Sequence, residues 1–162
     1  MRVMSVALAV PVLAFVACSC ETLEASFSSM STAEAQDMVS RGWIPEILPR
    51  TATDVRVRWD IENNKVRGRA RVSEYDLEGL RVLLRPLDGS VVPSFRVGRW
   101  VTPRWWPAEL REPGTVSELR GPGTVGELAR MGWEVFEIPD HAESYIAVHR
   151  SEGCVYFWDE GV

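Results

Sequence analysis

The chain has one lysine, two histidines and three cysteines among 162 residues, and each scarcity excludes something. Cys18 and Cys20 both fall in the first twenty residues, which leaves Cys154 alone in the body of the chain. There is no CxxC pair and no Cys/His spacing of a zinc site. There is no GxSxG, no HExxH and no phosphate-binding glycine loop. His141 and His149 are eight residues apart, ~26 Å along an extended strand, so one metal ion joins them only if the chain folds back. No metal or cofactor is expected. The net charge of −5 argues against a nucleic-acid partner. Lys65 is the only lysine, and every other basic residue is arginine. Bidentate anion recognition would use such a bias, but a GC-rich coding preference is the favoured account of it. The longest uncharged run, residues 3–20, is too short for a comfortable transmembrane helix, which needs about 20 apolar residues.

That run is nevertheless the most informative segment. It follows Arg2, stays uncharged until Glu21 and ends in small residues, which is the build of a secretory signal peptide. Phe15-Val16-Ala17-Cys18 resembles the lipobox of bacterial lipoproteins, with Phe15 where the family prefers Leu, Val or Ile. The resemblance implies removal of residues 1–17, acyl chains such as palmitate on Cys18, and no cofactor. Two or three chains on one residue anchor stably, whereas one is marginal. It also implies the outer membrane, because Ser19 is not the aspartate that retains such proteins in the inner membrane of many Gram-negative bacteria. Acylation at Cys20, a plain cut with Ala17 and Ser19 at the −3 and −1 positions that releases a soluble periplasmic or secreted protein, and a buried N-terminal helix stay open as alternatives.

Residues 18–30 read as a lipidated, Ser-rich tether, and residues 31–162 as one domain. Ser31 or Thr32 is expected to cap a short helix running to Arg41 and stopped by Gly42. The stretch GWIPEILP should run irregularly while Trp43, Ile44, Ile47 and Leu48 pack onto the core. Val55, Val57, Trp59 and Ile61 alternate with charged residues, as do Val66, Gly68, Ala70 and Val72, around a Glu62–Lys65 turn. This predicts a hairpin with one apolar face and one bearing Arg56, Arg58, Arg67, Arg69 and Arg71. Gly68 and Ala70 leave room for Trp59 or a helix. Ser73 caps a helix to about Leu83. Asp88-Gly89 marks a turn, and residues 91–101 a broken strand. Residues 113–119 and 122–128 are a near-repeat of nine-residue period whose second copy should start a helix that Gly132 stops. Three strands follow, from Trp133, Tyr145 and Cys154, the last apolar on both faces and so covered on both. The fold class is α+β, a small antiparallel sheet of about four or five strands packed with two or three short helices. GWIPEILPRTATDVRVRWDIENN loosely resembles short bacterial lipoproteins of unknown function, which implies no activity.

Seven tryptophans are the notable excess, and Trp100, Arg104, Trp105 and Trp106 crowd one proline-flanked segment. If exposed it would bind an envelope protein or a cell-wall glycan, since Trp and Arg dominate contact hot spots. If buried, the rings cap a core. The arginine face would meet an acidic partner or lipid phosphate, or pair internally with the chain's own carboxylates. The leading reading is a lipid-anchored binding or accessory module that faces the periplasm. The alternative is a small hydrolase-like periplasmic enzyme using His141, His149 or Cys154.

Overall fold

A computed structural model describes residues 22–34, 36–87, 103–110, 124–141, 143–149 and 151–159. Their frame is one antiparallel sheet of seven strands with three short helices. In chain order these are β1 (Thr22–Ser29), α1 (Met30–Glu34), β2 (Thr53–Asp60), β3 (Lys65–Arg71), α2 (Glu74–Leu83), β4 (Arg85–Pro86), α3 (Val125–Arg130), β5 (Trp133–Glu137), β6 (Ser144–His149) and β7 (Cys154–Asp159). The strand order is β1-β2-β3-β7-β6-β5-β4, so two meanders meet where β3 pairs with β7. Seven strands exceed the four or five expected, and sheet outweighs helix. The N-terminal segment with Cys18, the turn at 88–89, the 91–101 strand, Trp100 and the first copy of the nine-residue repeat lie outside the described residues.

The expected tether is corrected at residues 22–30. Leu23, Ala25 and Phe27 alternate with Glu24, Ser26 and Ser28, and that period of two pairs β1 with β2 from Thr22 opposite Asp60 to Ser29 opposite Thr53. Met30 is buried directly after it. The helix expected to reach Arg41 ends at Glu34. Its first turn is held by Ser29, whose Oγ accepts from the Thr32 amide at 3.3 Å. Turns with positive φ at Asp37 and Gly42 replace the rest.

The alternation in β2 and β3 divides the sheet into two faces, both covered. One face carries Val55, Val57, Trp59, Val66, Ala70, Ile146, Val148, Val155 and Phe157, beneath Ile44, Leu48, Leu77 and Leu80. The strip GWIPEILP has no regular structure and buries Ile44 and Leu48, with Trp43 stacked on Trp59 at 4.5 Å. Ile61, expected to continue the apolar face, is exposed instead. It lies beyond the strand, where Asp60 Oδ1 accepts from the amides of Glu62 and Asn63 and turns the chain. The room at Gly68 goes to Phe157 of β7, not to Trp59 or a helix. A Cβ added at Gly68 would stand 2.0 Å from Phe157 Cζ. Each fully buried aliphatic side chain on this face contributes ~1.5–3 kcal/mol.

α2 starts as its sequence requires. Ser73 Oγ accepts from the Asp76 amide at 3.1 Å, and Thr51 donates to Asp76 Oδ2 at 2.7 Å, tying the helix start to the approach to β2. At the other end Arg81 Nε donates to Glu134 Oε2 of β5 at 2.8 Å. Thr124 caps α3, and Gly132, with φ +91°, follows its end.

Candidate functional site

The second face of the sheet changes chemistry halfway across. Over β2 and β3 it carries the arginines, and over β5 to β7 it carries Trp133, Val135, Ala147, Cys154, Tyr156 and Trp158. Cross-strand pairing sets Arg67 opposite Trp158, Arg69 opposite Tyr156 and Arg71 opposite Cys154. Asp54 balances part of the charge. It sits at an irregularity in the β2–β3 register with φ +46°, a left-handed conformation that Asp tolerates. From there its carboxylate accepts from Arg69 and, at 3.2 Å, from Arg56 Nε. Burial raises the Asp54 pKa, but the hydrogen bond and charge of Arg69, with those of Arg56, outweigh it and hold the carboxyl below its ordinary value. Glu24 of β1 stands 4.0 Å from Arg58. Internal pairing thus accounts for Arg56, Arg58 and Arg69.

Residues 103–110 cross this face and divide the expected tryptophan site. Trp106 is core at 2% exposure. Its indole N–H donates to the Leu110 carbonyl at 3.1 Å, and its ring stands edge-on to Tyr156 and Trp158 at 5.8 and 6.1 Å. The Arg67 guanidinium lies 5.7 Å over it. Trp106 is therefore removed from the candidate binding residues, because a ring packed on all sides has no face for a ligand. Trp105 is half-buried, and its indole N–H donates to Glu24 at 2.7 Å, pinning the segment to β1. Arg104 is exposed.

Trp105 also lines a cleft of about 220 Å³, with Pro107, Glu109, Met131, Trp133, His149, Glu152 and Tyr156. A cleft this size holds a single small ring rather than a drug-sized ligand. The β6–β7 turn supplies its polar side. His149 Nδ1 lies 3.1 Å from Ser151 Oγ and 3.9 Å from Glu152 Oε1, and Tyr156 donates to Glu152 Oε2 at 3.5 Å. Gly153 makes this turn possible with φ +60°. The Trp133 ring holds the imidazole edge-on at 4.8 Å, and Gly132 closes over it, since a Cβ there would meet His149 Nε2 at 3.4 Å. Burial, then the charges of Cys154 and Glu152, push the Tyr156 phenol up to about 12, so it stays a hydrogen-bond donor at neutral pH.

The three residues of the enzyme alternative do not converge. His141 and His149 lie at opposite ends of β6. Cys154 pairs across from His149 in the sheet, but it is buried, and that burial raises its pKa against the pull of Arg69 and Arg71. A protonated, covered thiol is a poor nucleophile. Among the described residues no cluster of three or more His, Cys, Asp or Glu side chains is placed to hold a metal ion. Trp133, Glu152 and Tyr156 were not among the expected site residues. Glu152 had a local signal, since a three-residue turn after His149 brings it back beside the ring. Trp133 and Tyr156 arrive through strand pairing alone.

Residues 21–70, less than half of the chain, match the family model of the YbbD head domain. The matched stretch runs from β1 to β3, so it holds the arginine half of the second face and Glu24, while the cleft residues lie beyond it. No curated protein and no solved structure matches the chain.

Proposed function

We propose that the chain is a lipid-anchored envelope protein, held at the outer membrane through Cys18, whose domain faces the periplasm and binds a cell-wall glycan in the Trp105–His149 cleft. The observation that carries the binding reading is the cleft's lining. Trp105, Trp133 and Tyr156 offer apolar ring surface, and Glu109, His149 and Glu152 offer hydrogen-bonding groups around it. A sugar ring needs both, an aromatic surface for its C–H face and polar groups for its hydroxyls.

Titration with a disaccharide of N-acetylglucosamine, followed by tryptophan fluorescence and by NMR shifts of the His149 ring, tests the binding. Saturable shifts that Trp105→Ala abolishes, with far-ultraviolet circular dichroism unchanged, are expected. Shifts that persist in Trp105→Ala move the ligand elsewhere, and no shift removes glycans as the ligand class. For the anchor, a labelled fatty acid should mark the protein and Cys18→Ala should erase the label.

One observation favours a second reading, a small hydrolase. The His149 imidazole has a hydroxyl and a carboxylate on one side, as a general base does when a neighbour orients it. Product analysis in the same titration decides it, since turnover of the disaccharide that His149→Gln removes would make the cleft an active site.

A further inference from the structure

β1 begins at Thr22, four residues after Cys18. Four residues span at most ~14 Å even when fully extended. A lipid on Cys18 therefore leaves no room for a tether, and the end of the sheet where β1 starts must lie against the bilayer. Strand register identifies that end. Thr22 lies opposite Asp60, Asp60 opposite Lys65, Val66 opposite Asp159, and Asp159 opposite Ser144.

The same end carries an apolar rim that folding leaves uncovered. Leu23 is 42% exposed and Ile61 is 52% exposed. Both lie at the Thr22–Asp60 end of the β1–β2 ladder, Leu23 opposite Trp59 and Ile61 just past Asp60. Trp43 stacks on Trp59, and the Arg41 guanidinium lies 5.1 Å over Trp43. Aliphatic tips backed by an indole with a cation on its outer side form the chemistry of a membrane–water interface. Exposed Glu62 beside Ile61 keeps such a contact shallow, at headgroup depth.

We infer that Leu23, Ile61 and the Arg41–Trp43 pair form a rim that seats the domain on the phospholipid surface. The acyl chains supply the affinity and the rim supplies the orientation. The cleft then has its Trp105 edge toward the bilayer, because Trp105 is bonded to Glu24, and its His149 edge away from it. Its His149, Glu152 and Trp133 belong to the far end of the strands, where His149 pairs with Cys154 and Cys154 with Arg71, and an eight-residue strand is ~26 Å long. The inference rests on the proposed acylation of Cys18.

The test uses the full-length protein in vesicles of phosphatidylethanolamine and phosphatidylglycerol that contain a headgroup-depth spin-labelled lipid as quencher. A fluorophore is placed in turn at Leu23→Cys, Ile61→Cys and Ser28→Cys in a Cys20→Ser background, where Cys154 is buried. All three positions are exposed, and Ser28 lies at the far end of β1. Loss of most fluorescence at positions 23 and 61, and little at 28, is expected. Mass spectrometry of the same samples reports the acyl chains on Cys18. Acylated protein with equal quenching at all three positions, or with none, overturns the rim and leaves the anchor standing. Protein without acyl chains overturns both.

Discussion

Replacing Gly68 with alanine is the sharpest test of how the two meanders are joined. In a strand interior, Gly→Ala ordinarily stabilises by ~0.5–1 kcal/mol, because glycine loses more backbone freedom on folding. Here the sign should reverse. The new methyl carbon would lie 2.0, 2.3 and 2.7 Å from Cζ, Cε2 and Cε1 of Phe157, and that ring is 1% exposed with no open space to enter. Overpacking of this kind costs ~1–3 kcal/mol, and three atoms in collision point to the upper end. Set against the backbone gain, the net expectation is a loss of ~2 kcal/mol, read as a lower urea midpoint at unchanged slope and a melting temperature lowered by ~5–10 °C. The Phe157→Leu background isolates the cause. With the ring gone, Gly68→Ala should be neutral or stabilising by ~0.5–1 kcal/mol. A Gly68→Ala protein at least as stable as its parent, or an equal cost in both backgrounds, refutes the argument that Phe157 dictates glycine at this position.

Three further outcomes follow from the same contacts. Asp54 has its pKa lowered in the folded state, so the stability it contributes is present above its unfolded value of about 3.9 and is lost as pH falls below that. Asp54→Asn should flatten the acid limb of a pH–stability curve, by a modest amount because the carboxylate is partly solvated. Tyr156 is raised to about 12, which favours the neutral phenol in the fold, so its share of stability is intact below its unfolded value near 10 and declines as pH rises past it. Absorbance at alkaline pH should show one tyrosine that ionises late in folded protein and normally in urea. Trp106→Ala should cost ~3–5 kcal/mol in a denaturant titration, as for other fully buried large aromatics.

The hairpin of β2 and β3 was legible because valines and arginines alternate over two runs, and alternation is what a sheet with two different faces demands. The caps at Ser73 and Thr124 and the turn at Gly153 were legible for local reasons, a side-chain acceptor at a helix start and a residue that accepts positive φ. β1 carried its own signal in Leu23, Ala25 and Phe27, but a serine-rich composition after a lipobox-like segment reads as a tether until a partner strand is known. β4 has two residues, one of them proline, and exists only because Arg85 and Pro86 meet Glu137 and Phe136. The candidate cleft was half legible. Trp105 and His149 stood out by type, but only cross-strand pairing sets His149 beside Trp133 and brings Tyr156 into the same row of rings. Whether Trp106 was core or exposed stayed open in the sequence, because its burial depends on Tyr156 and Trp158, about fifty residues away in the chain.

The seam between β3 and β7 has a consequence for synthesis. β7 is translated after every other described strand, yet it lies in the middle of the sheet. Until Cys154–Asp159 emerges, a finished β1–β2–β3 meander holds an unpaired edge along Lys65–Arg71, and open edges recruit other chains. Arg67, Arg69 and Arg71 occupy that edge, so the nascent meander carries a row of like charges that repels a second copy of itself. These arginines, of which Arg67 is buried and Arg69 paired with Asp54 in the finished domain, would guard it against aggregation during the interval before its central strand arrives.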